Sequence, residues 1–167
     1  MNGLDISLEG GPKLNHKLDK LIKDEPKIAT AVAEGAALVF ERGMKRRAPV
    51  GRTGGLRNSI KTKVTGIGKA EVGPHQKYAA FPEFGTGIMG EPGKASGKRI
   101  TPIHAGVLAW TAYSGRGLKG GTKVVVKSTA GMKATPYVRP TLHEDKLAAE
   151  KGGNLAGRVM ILKAVKI

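Results

Sequence analysis

Two glycine clusters and a few scattered side chains are where chemistry would be sought first in this chain. Gly85-Thr86-Gly87-Ile88-Met89-Gly90 and Gly115-Arg116-Gly117-Leu118-Lys119-Gly120 both fit G-x-G-x-x-G, the spacing that lets a backbone approach a dinucleotide pyrophosphate. The first follows no buried strand, and Glu91-Pro92-Gly93 opens no helix. The second leads into a strand pattern. Gly93-Lys94 and Gly97-Lys98 lack the upstream Gly and the following Ser/Thr of a phosphate loop. His16, His75, His104 and His143 are far apart and share no helix turn, so they read as surface histidines. The 13 acids show no Asp-x-Asp or Glu-x-x-His spacing, and Ser59 and Ser114 lack a nucleophile-elbow setting. With no Cys there is no disulfide, thiolate metal site or cysteine nucleophile. No enzyme signature and no cofactor site is legible.

Charge is the larger signal. Lys+Arg total 29 against 13 Asp+Glu, a net +16. Seven acids fall in residues 1–41, whereas 42–70 and 92–143 each hold nine bases and no acid. So much charge of one sign repels itself unless something negative lies nearby, either nucleic acid or an acidic protein face. Arg42, Lys45, Arg46, Arg47, Lys94, Lys98 and Arg99 are the candidate contacts. The seven aromatics are scattered, so no base-stacking platform is visible. No run is long and apolar enough to span a membrane, and the N-terminus lacks a basic start followed by an apolar stretch.

The elements that would position these residues follow from spacing. Leu4, Ile6 and Leu8 alternate as a short strand over 3–9. Leu14, Leu18, Leu21 and Ile22 predict a helix over 13–24, and Pro26 suits the first turn of a second helix. Ile28, Val32, Ala36, Val39, Phe40 and Met44 mark that helix to Arg47, with Pro49 ending it. Leu56, Asn58, Ile60, Thr62 and Val64 alternate as a strand; Gly66 to Gly68 form a turn, and Ala70 and Val72 return, so 56–73 reads as a hairpin. Residues 85–99 read as a Gly/Lys loop, 115–121 as a turn-rich link and 122–128 as a strand. Thr141 is placed to cap a helix over 142–151, with Glu144 at the capping-box position and Gly152-Gly153 breaking it. Residues 154–167 lean to helix. The order predicts one α+β domain over 1–167: an antiparallel sheet against a long helix in the N-terminal half and a C-terminal helix, with long Gly/Lys-rich loops. Residues 1–25 would be an N-terminal strand and short helix, and 152–167 a C-terminal extension.

Three segments carry more than this. They are Ala48-Pro49-Val50-Gly51-Arg52-Thr53-Gly54-Gly55-Leu56-Arg57-Asn58-Ser59-Ile60, then Tyr78-Ala79-Ala80-Phe81-Pro82-Glu83-Phe84-Gly85-Thr86-Gly87, then Lys133-Ala134-Thr135-Pro136-Tyr137-Val138-Arg139-Pro140-Thr141-Leu142. In this order, over about residues 28–150, they resemble the small tail-component proteins of long-tailed bacteriophages, the neck or tail-completion subunits. The resemblance implies a non-enzymatic virion protein that forms a ring of six or twelve and joins the tail to the DNA-filled head. Its partners would be the head connector or adaptor, the tail tube or tail terminator, and DNA in the channel. The motif positions implicated in assembly are Thr53, Gly54, Leu56, Ser59, Tyr78, Ala79, Glu83, Phe84, Gly85, Thr86, Pro136, Arg139 and Pro140. Arg52 stands where the family pattern has an acidic or polar residue, Pro82 where it has an apolar one, and 87–133 is an insertion relative to the shortest members.

Elementary chemistry gives these residues readings of their own. Gly54 or Gly55 suits a positive φ between helix and strand, with Thr53 bonding the backbone across the turn. That turn is either a tight connection or a subunit contact. Glu83, in a semi-apolar segment, is either a solvated carboxylate or a salt-bridge partner of Arg139 or Arg57. Pro136 and Pro140 would hold an extended entry into the last helix, docking Tyr137 and Val138 onto the sheet. The 85–99 loop would be mobile until a partner orders it. A basic nucleic-acid-binding protein making non-specific phosphate contacts is the competing expectation.

Overall fold

The computed structural model describes residues 10–165 apart from 52, 105 and 113–120. The strand expected over 3–9, Arg52, the second glycine cluster and the last two residues lie outside that set. The chain is α+β. Its order is α1 (Gly11–Arg47), α2 (Gly55–Ser59), β1 (Ile60–Gly66), β2 (Lys69–Pro74), α3 (Ala80–Phe84), a 3-10 turn (Gly87–Met89), β3 (Leu108–Ala112), β4 (Thr122–Val126), α4 (Val138–Glu144) and α5 (Lys146–Val165). The strands form two separate hairpins, β1–β2 and β3–β4.

Two compact units are interleaved in sequence. The first takes the chain up to Phe40, Thr62–Val72 and the chain from Lys146 on; the second takes Glu41–Lys61 and Gly73–Asp145.

In the first unit α1 and α5 lie against each other through small residues. A Cβ on Gly35 would meet the Gly152 carbonyl oxygen and Ala156 Cβ, each at 2.8 Å. One on Gly153 would meet the Val32 carbonyl oxygen at 2.8 Å, and one on Gly157 the Val32 Cγ2 at 2.6 Å. Residue numbers fall along α1 as they rise along α5, so the helices are antiparallel. Gly68, in the two-residue turn between β1 and β2, donates its N–H to Thr30 Oγ1 at 3.3 Å and so ties the hairpin to α1.

Three expectations about elements are corrected. Residues 13–24 and 26–47 are one helix, with Pro26 inside it. The proline removes one ladder bond, about 3 kcal/mol, from a helix of 37 residues, and both it and Ile22, whose carbonyl loses its donor, are exposed. Gly152-Gly153 do not break the last helix, because they are the surface on which α1 packs; residues 152–165 belong to α5. The first half of the expected 56–64 strand is α2, with Leu56 buried and Ser59 Oγ donating to the Leu56 carbonyl at 2.7 Å. From Ile60 the strand is as expected.

Candidate functional site

All three motif segments lie in the second unit, and they meet there. The organising residue is Glu83, on α3 and only 4% exposed. Its Oε2 accepts the N–H groups of Tyr137 (2.7 Å) and Val138 (2.9 Å), and its Oε1 accepts that of Arg139 (3.1 Å). These are the first donors of α4, whose N-cap is Tyr137. An α-helix opens with four N–H groups that have no partner within it. Glu83 takes three of them. Pro140, the fourth position, has no N–H. The four are therefore accounted for by one carboxylate and one proline.

This corrects the readings of Thr141 and Pro140. Thr141 is no cap: the helix begins three residues earlier, and its buried Oγ1 donates back to the Tyr137 carbonyl at 2.7 Å. Pro140 lies in the first turn rather than in an extended entry, where its ring is compatible with helix.

Arg139 completes the arrangement. Its Nε donates to Glu83 Oε1 at 2.9 Å and its Nη2 to the Glu83 carbonyl at 3.0 Å. Both terminal nitrogens reach Glu91, Nη1 at 3.0 Å, in a two-pronged pair. The guanidinium carbon lies 5.1 Å from the Phe84 ring centroid, and Lys94 Nζ lies 5.9 Å from it. Of the two bases considered for Glu83, the structure pairs it with Arg139. Arg57 instead donates to the Lys45 carbonyl at 2.7 Å, at the end of α1. Burial raises the Glu83 pKa, but the Val138 and Tyr137 amides and Arg139 together outweigh it and hold the carboxyl below its ordinary value. Tyr137 is fully buried; burial first, then Glu83 and Tyr78, push its phenol up to about 12. Its hydroxyl donates to the Ala79 carbonyl at 3.2 Å.

The Gly85–Thr86 end of the second motif is hydrogen-bonded to the segment before the third motif as well, so residues 86–91 of the expected 85–99 loop have partners within the chain. Thr86 and Met132 exchange bonds, Thr86 N–H to the Met132 carbonyl at 2.8 Å and Met132 N–H to Thr86 Oγ1 at 2.9 Å. Ile88 N–H reaches the Ala130 carbonyl at 2.9 Å, and Glu91 N–H the Phe84 carbonyl at 2.8 Å. The two segments cross so closely at Gly131 (φ +98°) that a Cβ there would run into the Thr86 carbonyl. Thr135 N–H donates to the Pro82 carbonyl at 2.7 Å.

The first motif closes the group. Gly54 takes φ +62°, and Gly55 N–H points to Thr53 Oγ1 at 3.4 Å. Pro49, Gly51, Thr53, Gly55 and Leu56 line a cavity of about 220 Å³ together with Tyr78, Pro82, Met132 and Thr135. All three segments contribute to it.

The basic candidates are less uniform. Arg47 is committed internally: Nη1 is 2.7 Å from Asp145 Oδ2, Nη2 is 2.6 Å from Glu144 Oε2, and Nη1 also reaches Thr141 Oγ1 at 3.3 Å. Lys45 pairs with Glu41 at 2.6 Å, and Arg46 lies 3.5 Å from Asp145. Arg42 is exposed and has no ionic partner among the described residues. Lys98 is exposed, as is Arg99, which donates to Ser128 Oγ at 3.0 Å. Pro136 is exposed beside buried Tyr137. Two participants escaped sequence reasoning: Glu91, the second acid on Arg139, and Asp145, the acid on Arg47. Glu91 carried a signal, as a lone carboxylate at the edge of an acid-free stretch. Asp145 carried none, being 98 residues from its partner.

Among the described residues no group of His, Asp and Glu is placed to hold a metal ion, and no helix is long and apolar enough to cross a membrane. What the arrangement does is fasten segments together by charge and hydrogen bonds.

These features define a small α+β protein in which three segments distant in sequence are fastened together in one unit. Residues 13–85 match the family model described as "Bacteriophage HK97-gp10, putative tail-component". The match covers the first motif and most of the second, and it bears out the resemblance to phage tail components. It supports a structural role in a phage tail, and with it a place in the virion. No curated protein and no solved structure matches the chain.

Proposed function

We infer that this chain is a ring-forming neck or tail-completion subunit that joins the tail to the DNA-filled head, working by assembly without catalysis or cofactor. The match of residues 13–85 to a tail-component family carries the reading. The locked unit around Glu83 supports it, since a preformed body can be added to a ring without refolding. Its partners are further copies of itself, in a ring of six or twelve, the head connector or adaptor, and the tail tube or tail terminator. DNA passing through the channel would meet the exposed bases by phosphate contact, without sequence readout.

The test is size-exclusion chromatography with light scattering on the purified chain, alone and mixed with tail-tube and head-connector proteins from the same genome. The expected result is a closed ring with at least one of them. A monomer that ignores both, yet retains nucleic acid at moderate salt, overturns the reading and favours a basic nucleic-acid-binding protein.

A further inference from the structure

The β3–β4 ribbon has unused pairing capacity. Its sheet has two strands among the described residues, so each strand keeps one edge without a neighbouring strand. Each strand is only five residues long. A two-stranded ribbon of that length is marginal in water by itself, and a free edge is a template for another strand. The register, Leu108↔Val126 through Ala112↔Thr122, puts Leu108, Trp110, Val124 and Val126 on one face and Ala109, Thr111, Lys123 and Val125 on the other. Trp110 is 44% exposed and Val125 53%, so both faces present apolar surface. The two edges differ in charge. Strand β3 carries none, whereas β4 contains Lys123 and is followed at once by Lys127.

We propose that the β3 edge of one copy of this chain pairs antiparallel with the β4 edge of the next, so that the ribbons form a continuous sheet around the assembly. The proposal rests on the ring reading above. The charges select the occupant. Pairing β4 with β4 in the register centred on Val125, which overlaps the most residues of the strand and its following lysine, would bring Lys123 of one copy opposite Lys127 of the other, and like charges facing across strands destabilise. Pairing β3 with β3 uses one edge and leaves β4 exposed in every copy. Pairing β3 with β4 avoids both faults. It is also a heterologous contact, the kind that repeats from copy to copy and closes under rotation. Rotation places β3 and β4 in strict alternation, so every new junction is antiparallel and no edge remains.

The chain has no cysteine, so each introduced thiol is unique. Wild-type protein is first tested for ring closure with the tail-tube and head-connector proteins; if no ring forms, it is the ring reading that fails, before any variant is made. Ala109→Cys and Thr111→Cys on β3, and Lys123→Cys and Val125→Cys on β4, are then assembled singly and as the four one-to-one β3/β4 mixtures, and oxidised. All four side chains are exposed in the single chain. The expected result is a covalent dimer in at least one mixture and in no single-variant ring. In the proposed sheet, equivalent strands lie two spacings apart, roughly 9.5 Å, beyond the roughly 7 Å a disulfide spans. Dimers from one variant alone, or rings with none in all four mixtures, overturn the pairing. Wild-type rings give a second readout free of substitutions. Amide exchange at 108–112 and 123–126 is expected to slow on ring closure, and unchanged exchange overturns the proposal.

Discussion

At the scale of single residues the unit around α4 depends on one negative charge. Glu83→Gln keeps the shape of the side chain but removes the charge that three amides and Arg139 share. Hydrogen bonds to a charged group contribute about 1.5–3 kcal/mol, so a loss of about 2–3 kcal/mol is expected, a fall in Tm of about 4–12 °C. Thermal unfolding followed by circular dichroism reads it, and an unchanged Tm would show that the carboxylate is dispensable. The same residue sets the acid limb. The Glu83 pKa is below its ordinary value in the folded chain, while the unfolded chain titrates near 4.3. The unfolded state therefore binds protons first as pH falls. The stability from Glu83 is full above about pH 5 and is lost as pH drops through 4.3 and then through the folded pKa. Asp145, lowered mainly by its hydrogen bond from Arg47, acts in the same direction. The expected profile of Tm against pH is flat above about pH 5 and falls below it, with a shallower fall in Glu83→Gln. Parallel acid limbs in the two proteins would remove Glu83 as a cause.

At the scale of elements, the close approach of α1 and α5 in the first unit makes a prediction that runs against helix propensity. Gly→Ala inside a helix ordinarily stabilises by about 1 kcal/mol. At Gly35 the new methyl would sit 2.8 Å from a backbone oxygen of Gly152, and the helices must separate to admit it. Overpacking of that kind costs about 1–3 kcal/mol, so Gly35→Ala is expected to destabilise by about 1 kcal/mol net. Gly11→Ala, with nothing within 4 Å, is the control and leaves Tm level or raises it. Equal shifts in the two variants would mean that α1 and α5 do not pack this tightly in solution. The same contact shows which parts of the fold were legible. The α1 face from Ile28 to Met44 and the turn into β2 repeat at fixed short spacing, which sequence displays directly. Gly152-Gly153 read as a break because local propensity is all that spacing reveals; the surface that makes them useful is more than 100 residues away. Pro26 misled because one lost bond does not stop a helix of 37 residues. Arg139 could be named beforehand only as one of two candidate partners, with Arg57, because Glu83 is a rare acid among many bases; the choice between them needed the fold. That Glu83 caps α4 could not be named beforehand, because a cap supplied from another segment leaves no mark next to the helix it caps.

At the scale of the whole molecule the net +16 is not one uniform property. Arg47 is held between Asp145 and Glu144, and Arg139 between Glu83 and Glu91, so their charge is largely answered within the chain. Arg42, Lys98 and Arg99 are exposed, and none has an ionic partner among the described residues. Binding to duplex DNA by phosphate contact releases counterions, and log K falls with log salt by about 0.9 for each phosphate neutralised. The two groups of bases should therefore separate in one titration. The triple change Arg42→Ala, Lys98→Ala, Arg99→Ala is expected to flatten the slope by up to about 2.7 while leaving Tm nearly unchanged. Arg47→Ala is expected to leave the slope close to wild type and to lower Tm, because it strands Asp145, whose side chain is 15% exposed, without its closest partner. Fluorescence anisotropy with a short labelled duplex between about 50 and 200 mM salt measures both, over the range where such contacts lose most of their strength. If Arg47→Ala flattens the slope as much as the triple variant does, the internal ion pairs open on DNA and exposed charge is no guide to the DNA-facing surface. If neither variant changes it, DNA meets other bases, and the ribbon's Lys123 and Lys127 are the next to remove.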